Sequence, residues 1–257
     1  MCLGMFMAVL DIQIVATSLP TIQKSLGFAS DQMVWVQTAY LTAEIVAIPL
    51  TGYLTGVLGI RWFDCTVTGM EAHAGPTPMA LRKDALQVAT HLMQEVVAAA
   101  LRHTPHGRGT VGMVHIHPNS RNVIPGEVKF SIDLRNSTDV LVDQQADEVK
   151  AFAAKLSQQT GLAIKIELVS SYSAIGFHPD CIDAVARATN KLGYSNMPVV
   201  SGAGHDAVYM AKLAPAGMIF IPCKDGISHN EIEDAKLEHL EAGCNVLLHA
   251  MLERAGT

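Results

Sequence analysis

The sequence predicts an α/β chain. A ferredoxin-like β-α-β-β-α-β domain is expected over residues 63–172 and a further α/β segment over 173–257, both preceded by two membrane-length helices within residues 1–62. Three observations carry this. Residues 1–60 hold only four charged side chains, Asp11, Lys24, Asp31 and Glu44, although the 257-residue chain has 18 lysines and arginines and 24 aspartates and glutamates. From Phe63 onward, segments that alternate with period two take turns with segments of helical period. The later strands are apolar throughout, as strands covered on both faces are.

Taken in order, "LGMFMAVLDIQIVATSLPTI" (3–22) and "VWVQTAYLTAEIVAIPLTGYLTGVL" (34–58) are each long enough to cross a hydrocarbon core as a helix. Asp11 and Glu44 are then expected to face a protein interior or a polar cavity; the other reading is a pair of buried helices in a soluble core. "DCTVTGMEA" (64–72) reads as a strand and 79–103 as an amphipathic helix. "GTVGMVHIHP" (109–118) and "EVKFSIDLR" (127–135) read as strands joined by the turn "NSRNVIPG". A helix over 141–161 closes at Gly161, and "LAIKIELV" (162–169) is the fourth strand, which completes the split βαβ order. A helix (180–193), a short strand (198–200), a helix after Gly204, the strand "GMIFIP" (217–222) and a terminal helix (236–254) follow.

A net charge of −6 without a run of lysine or arginine gives no electrostatic footprint for nucleic acid. Five scattered cysteines (Cys2, Cys65, Cys181, Cys223, Cys244) form no CxxC pair, so neither a disulfide framework nor a thiolate zinc site is expected. A cytoplasmic setting for residues 63–257, with anchoring to a membrane through 1–62, is the corresponding expectation.

Four stretches can carry chemistry. In "EAHAGPTPM", His73 stands where a strand enters a Gly-Pro turn, a position open either to a donor for a developing oxyanion or to an ordinary solvent-exposed histidine. In "NSRNVIPGEVKFSIDLR", Asn122 and Arg135 suit a planar carboxylate, because a guanidinium offers a rigid two-pronged fork; the other reading of Arg135 is a surface charge at a strand end. In "SGAGHDAVYMA", Gly202, Gly204 and Ala207 match a loose dinucleotide fingerprint with Asp225 beyond, but the preceding strand is too short for it. The other reading is that Gly202 and Gly204 let a ligand approach the backbone, with His205 and Asp206 pointing into the same cleft. In "IPCKDGISHNEIE", His229 sits on a loop leaving an apolar strand, a position open either to a metal ligand or to an ordinary loop histidine.

Two resemblances follow from these stretches. "LDIQIVATSLPTI", "WVQTAYLTAEIVAIPLTGYL" and "GYLTGVLGIRW" resemble the first two helices and following loop of multidrug antiporters of the major facilitator superfamily. Gly56 and Val57 stand where that loop has Asp and Arg. Two helices cannot form the repeated bundles of a transporter, so transport is excluded and residues 1–62 read as a fused fragment. From residue 63, "EAHAGPTPM", "NVIPGEVKFSIDLR", "SGAGHDA" and "PAGMIFIPCKDGISHNE", in this order, closely resemble the zinc-dependent amidases that hydrolyse N-carbamoyl-amino acids, ureidopropionate and allantoate.

That second resemblance implies a lid domain (63–172) that forms a homodimer, followed by the C-terminal part of a metallopeptidase-like catalytic domain (173–257). It implies hydrolysis of a linear amide or ureido C–N bond in a small carboxylate substrate at a two-metal centre of zinc or manganese. His73 would be the catalytic histidine that polarises the scissile carbonyl, from the partner subunit. Asn122 and Arg135 would grip the carboxylate, Gly204 and His205 would line the pocket, and His229 would be the last metal ligand. The family's remaining ligands and its water-activating glutamate have no counterpart in residues 1–62, so a chain weakly active or inactive alone is expected. The alternatives are a non-catalytic dimerisation or ligand-binding module and a membrane-tethered remnant.

Overall fold

"GYLTGV", the end of the stretch expected to be a second membrane helix, is a β-strand. The structure, a computed structural model, describes residues 52–256. In it β1 (Gly52–Val57) runs parallel to β10 (Met197–Ser201) and antiparallel to β11 (Ile219–Phe220), and its far end pairs with β9 (Ile175–Gly176). With neighbours on both edges, its run of apolar residues reflects burial in a sheet; Val57 and Leu58 are almost wholly enclosed. Among the described residues no helix is long and apolar enough to cross a membrane. The expected span over 3–22 and the first part of that over 34–58 lie outside the described residues.

After Leu58 the chain enters a second sheet at once. Strand β2 (Gly59–Thr68) is ten residues long and passes unbroken through positions 62 and 63, where the fused fragment was expected to end. It pairs antiparallel along its whole length with β7 (Glu127–Asn136) and, from Ile60 to Thr68, with β8 (Ala163–Tyr172), whose register shifts by one residue between Trp62 and Phe63. The strand expected over 109–118 is broken into β4 (Arg108–Thr110) and β5 (Val114–His117), both on the outer side of β7. At the break Met113 still holds Ser131, its carbonyl accepting from the Ser131 N–H at 3.1 Å. The sheet order is therefore β4/β5, β7, β2, β8.

One face of this sheet carries α1 (Ala85–Arg102) and α2 (Asp139–Thr160). Asp84 caps α1 by accepting from the N–H groups of Leu86 and Gln87, and Thr138 caps α2. Gly161 ends α2 in the left-handed conformation (φ 69°) that a side chain disfavours. The period-two pattern sends Phe63, Cys65 and Val67, with Val128, Phe130, Ile132 and Leu134, into a core against Val88, Leu92, Val96, Val142 and Val149. Burial there pushes the Cys65 thiol up to about 12. Around the first sheet, α3 (Pro179–Lys191) packs on α5 (Leu237–Ala255) through Ala184, Val185, Ala188, Val246 and Ala250.

Both sheets belong to one compact unit, Pro49–Thr257, and polar contacts lock the crossings between them. The Arg61 guanidinium binds both carboxylate oxygens of Asp143 (2.8 and 3.2 Å) and the carbonyl of Tyr172 at the end of β8. Asp139 accepts from the Ala174 N–H at 3.0 Å. Gly56 and Gly59 let the strands pass this closely: a Cβ on Gly56 would lie 2.6 Å from the Ile175 carbonyl oxygen, and one on Gly59 would lie 2.9 Å from Asp139 Oδ1.

Leu92 is fully enclosed between α1 and the sheet. Leu92→Ala should therefore lower unfolding stability by about 2–5 kcal/mol in urea titration. A loss below about 1 kcal/mol would mean that α1 is not seated on β2 and β7 as described.

Candidate substrate-binding site

Strand pairing alone brings two distant stretches together. Val57 is the register partner of Ser201 on β10, and the Leu58 N–H donates to the Ser201 carbonyl at 3.0 Å. Ile60, separated from Val57 only by Leu58 and Gly59, is the partner of Arg135 on β7. The end of β7 and the loop after β10 thus meet across this one crossing. Arg135 spans the meeting point, its Nη1 donating to the Gly202 carbonyl at 2.7 Å.

Two positions earlier on the same strand face is Asp133. It accepts from Arg135 Nε at 2.9 Å and from Nη2 at 2.6 Å, a two-pronged charged pair. The hydrogen bonds that Arg135 donates to the Asp133 carboxylate hold the pKa of its guanidinium above its already high ordinary value, against the opposing effect of burial.

The loop after β10 is organised by Ser201. Its hydroxyl donates to the Ala203 carbonyl and accepts the Ala203 N–H, both at 3.1 Å, and His205 Nε2 lies 2.7 Å away. The hydroxyl and His205 Nε2 share one hydrogen bond, whose donor is set by the imidazole tautomer. The imidazole stands edge-on to Phe220 of β11, with centroids 5.4 Å apart. Burial holds His205 below the usual histidine range, opposed by the Asp206 charge. Gly202 and Gly204 face open space where a side chain would be. The helix that follows, α4 (Ala207–Met210), has only four residues, which removes the long βα unit a dinucleotide fingerprint requires.

His73 and Asn122 form a second group. The short strands β3 (Ala72–His73) and β6 (Val123–Ile124) pair His73 with Val123, and the Ala74 N–H donates to the Asn122 carbonyl at 2.8 Å. His73 Nδ1 accepts the Gly75 N–H at 3.1 Å, which puts its proton on Nε2, in a ring exposed to solvent. Arg82 ties the turn by donating to the carbonyls of Ala74 and Thr77. Asn122 Oδ1 accepts from Ser120, so its NH2 group is left as the outward donor.

His229 stands on the loop after β11 with a left-handed backbone (φ 57°), and its N–H donates to Glu233 Oε2 at 3.0 Å. Among the described residues no three His, Cys, Asp or Glu side chains lie close enough together to hold a metal ion. These residues therefore do not by themselves fit a metal centre. The predicted positions fall into three places: His73 with Asn122, Arg135 with Gly204 and His205, and His229 on its own loop. Sequence reasoning missed Asp133, Ser201 and Glu233. Of these, Asp133 alone had a readable signal, since two residues apart on a strand means a shared face.

Comparison with known proteins agrees with this architecture. The model of the family described as "Peptidase family M20/M25/M40" matches residues 43–253. The chain is 39% identical over 241 residues to the N-carbamoyl-L-amino-acid amidohydrolase of Rhizobium meliloti, covering 90% of this chain and 58% of that protein. It is 30% identical over 204 residues to the allantoate amidohydrolase of Bacillus subtilis, covering 79% and 50%. The crystal structure of a hydantoinase/carbamoylase family amidase from Burkholderia multivorans superposes with a TM-score of 0.77 at 48% identity, over 84% of this chain and 52% of that one. The chain thus spans about half the length of the relatives it matches. The family match begins at residue 43, inside the stretch that resembled a transporter helix, and none of these comparisons supports a transporter fusion.

The half-buried His205 makes stability depend on pH. Its folded value lies below its ordinary 6.5, so unfolding takes up a proton. Its contribution is complete above about 6.5 and is lost as the pH falls through the folded value. Urea midpoints should therefore drop between about pH 7.5 and 5.5 more steeply in the wild type than in His205→Gln. Equal slopes would remove His205 as the source.

Proposed function

The chain belongs to the peptidase family M20/M25/M40, and we propose that it supplies the substrate-gripping part of a metal-dependent hydrolase of linear amide or ureido C–N bonds. The substrate class is a small carboxylate bearing a carbamoyl or ureido group, of the N-carbamoyl-L-amino acid or allantoate type. The observation that carries this reading is the setting of Arg135: a guanidinium held at the junction of two sheets, facing a glycine-bearing loop with a neutral imidazole. A guanidinium so placed favours a carboxylate, and the open space over Gly202 and Gly204 leaves room for one.

In this reading Arg135 sets the register of the substrate carboxylate and Asn122 adds a donor. His205 lines the pocket with its imidazole, and His73 offers its Nε2–H to the oxyanion. Residues 63–172 act as a lid that pairs two chains, so that His73 and Asn122 of one subunit serve the cleft of the other. Their separation from the Arg135 group favours this. So does the ten-residue edge strand β8, whose outer edge pairs with no other described strand and whose Leu168 and Val169 are exposed. Zinc or manganese is the metal this chemistry uses, with His229 as one ligand. Since the described residues offer no further cluster, the roles assigned here are those of binding and orientation.

Titration of the chain with N-carbamoyl-L-alanine, followed by NMR, tests the reading. Arg135→Ala should weaken binding by about 10- to 100-fold, the range for a hydrogen bond to a charged group of about 1.5–3 kcal/mol. Equal affinity in the variant would overturn it. With added zinc or manganese the chain alone should release no ammonia, whereas release abolished by His229→Ala would show that it carries a complete metal centre.

A further inference from the structure

Asp133 spends its charge on Arg135, the group read above as the carboxylate grip. A guanidinium has two edges that can take a carboxylate: the side formed by Nε and Nη2, and the end formed by Nη1 and Nη2. Asp133 occupies the side edge, with Nε at 2.9 and 3.3 Å from its two oxygens and Nη2 at 2.6 Å. The end edge is turned toward the loop that begins at Gly202, and its sole described partner there is a neutral carbonyl at 2.7 Å. Both side chains are about three-quarters enclosed, at 25% and 26% exposure, so the pair is held in one geometry.

We propose that Asp133 is the positioning residue of the carboxylate site: it fixes the Arg135 guanidinium side-on, so that only the end edge meets the ligand. The inference rests on the carboxylate-gripping role of Arg135 and extends it. An incoming carboxylate then displaces the Gly202 carbonyl, a weaker acceptor than itself, and leaves the Asp133 pair unbroken. The long side chain is already ordered before the ligand arrives, which removes one immobilisation from the binding step. The charge of Asp133 acts in the opposite direction, because it repels the ligand across the guanidinium. That repulsion is screened at about 1 M salt, where the Debye length is about 3 Å, whereas the orientation is not.

The test is therefore made at about 1 M sodium chloride, on the full chain, with N-carbamoyl-L-alanine as the probe and the Arg135 Nε–H followed by NMR. In the wild type the Nε–H should exchange slowly with or without the probe. In Asp133→Asn that protection should be lost and the affinity should fall about three- to tenfold, the worth of immobilising one long side chain. Asp133→Glu, which keeps the charge, should recover part of both, a rescue that a merely structural role for Asp133 would not give. Unprotected Nε–H in the wild type, or an Asp133→Asn chain that binds equally or more tightly, would overturn the assignment. A protected Nε–H in a wild type that does not bind the probe would instead sink the carboxylate reading of Arg135.

Discussion

The meeting of Arg135 with the Ser201–His205 loop depends on one backbone constraint: β1 and β2 are consecutive strands of different sheets with only Leu58 between them. Hydrogen bonding on one side of that residue fixes Ser201, and on the other side it fixes Arg135. No side-chain contact is needed to bring the two regions together, because the ladders do it. The Arg135 contact with Gly202 and the Ser201–His205 pair build on a proximity already set by the main chain. Arg61 and Asp139 then guard the crossing, since they bind the end of β8 and the Ala174 N–H between β8 and β9 and so hold the second connection beside the first.

Much of the second sheet was legible in the sequence because its two faces differ. Phe63, Cys65 and Val67 alternate with polar residues, and the partner run Val128, Phe130, Ile132 and Leu134 does the same, so period two gives both strand and face. Gly161 and the polar turn before β7 marked element ends for reasons of backbone conformation. The break between β4 and β5 was not legible, because it depends on how Ser131 of the neighbouring strand meets Met113.

The first sheet was misread where it matters most. "TGYLTGVLGI" is apolar with scattered glycines, which fits a membrane helix and a strand covered on both faces equally well. Hydropathy reports that the segment avoids water; it does not report what replaces the water. What separates the two readings lies far away in the chain, in β10 and β11. Gly59, which matched a transporter loop, and Gly56, which departed from it, both have a local reason here, since they face a carboxylate and a carbonyl too close for a Cβ. In the candidate site, residue types were readable one by one. Which of them meet was not, and Asp133 drew no notice because a carboxylate beside an arginine reads as an ordinary surface pair.

The single-residue crossing also bears on how such a chain can vary over evolutionary time. Side chains on a strand alternate between faces, so inserting or deleting one residue between Val57 and Gly59 would turn the whole of β2 over. Phe63, Cys65 and Val67 would leave the core together, and Arg135 would lose its register with the loop after β10. Length changes are therefore confined to places such as the 111–113 break or the long loop after β11, where no ladder continues through. Length at this crossing should be the most strictly inherited feature of the fold, more so than the identity of any side chain in the site.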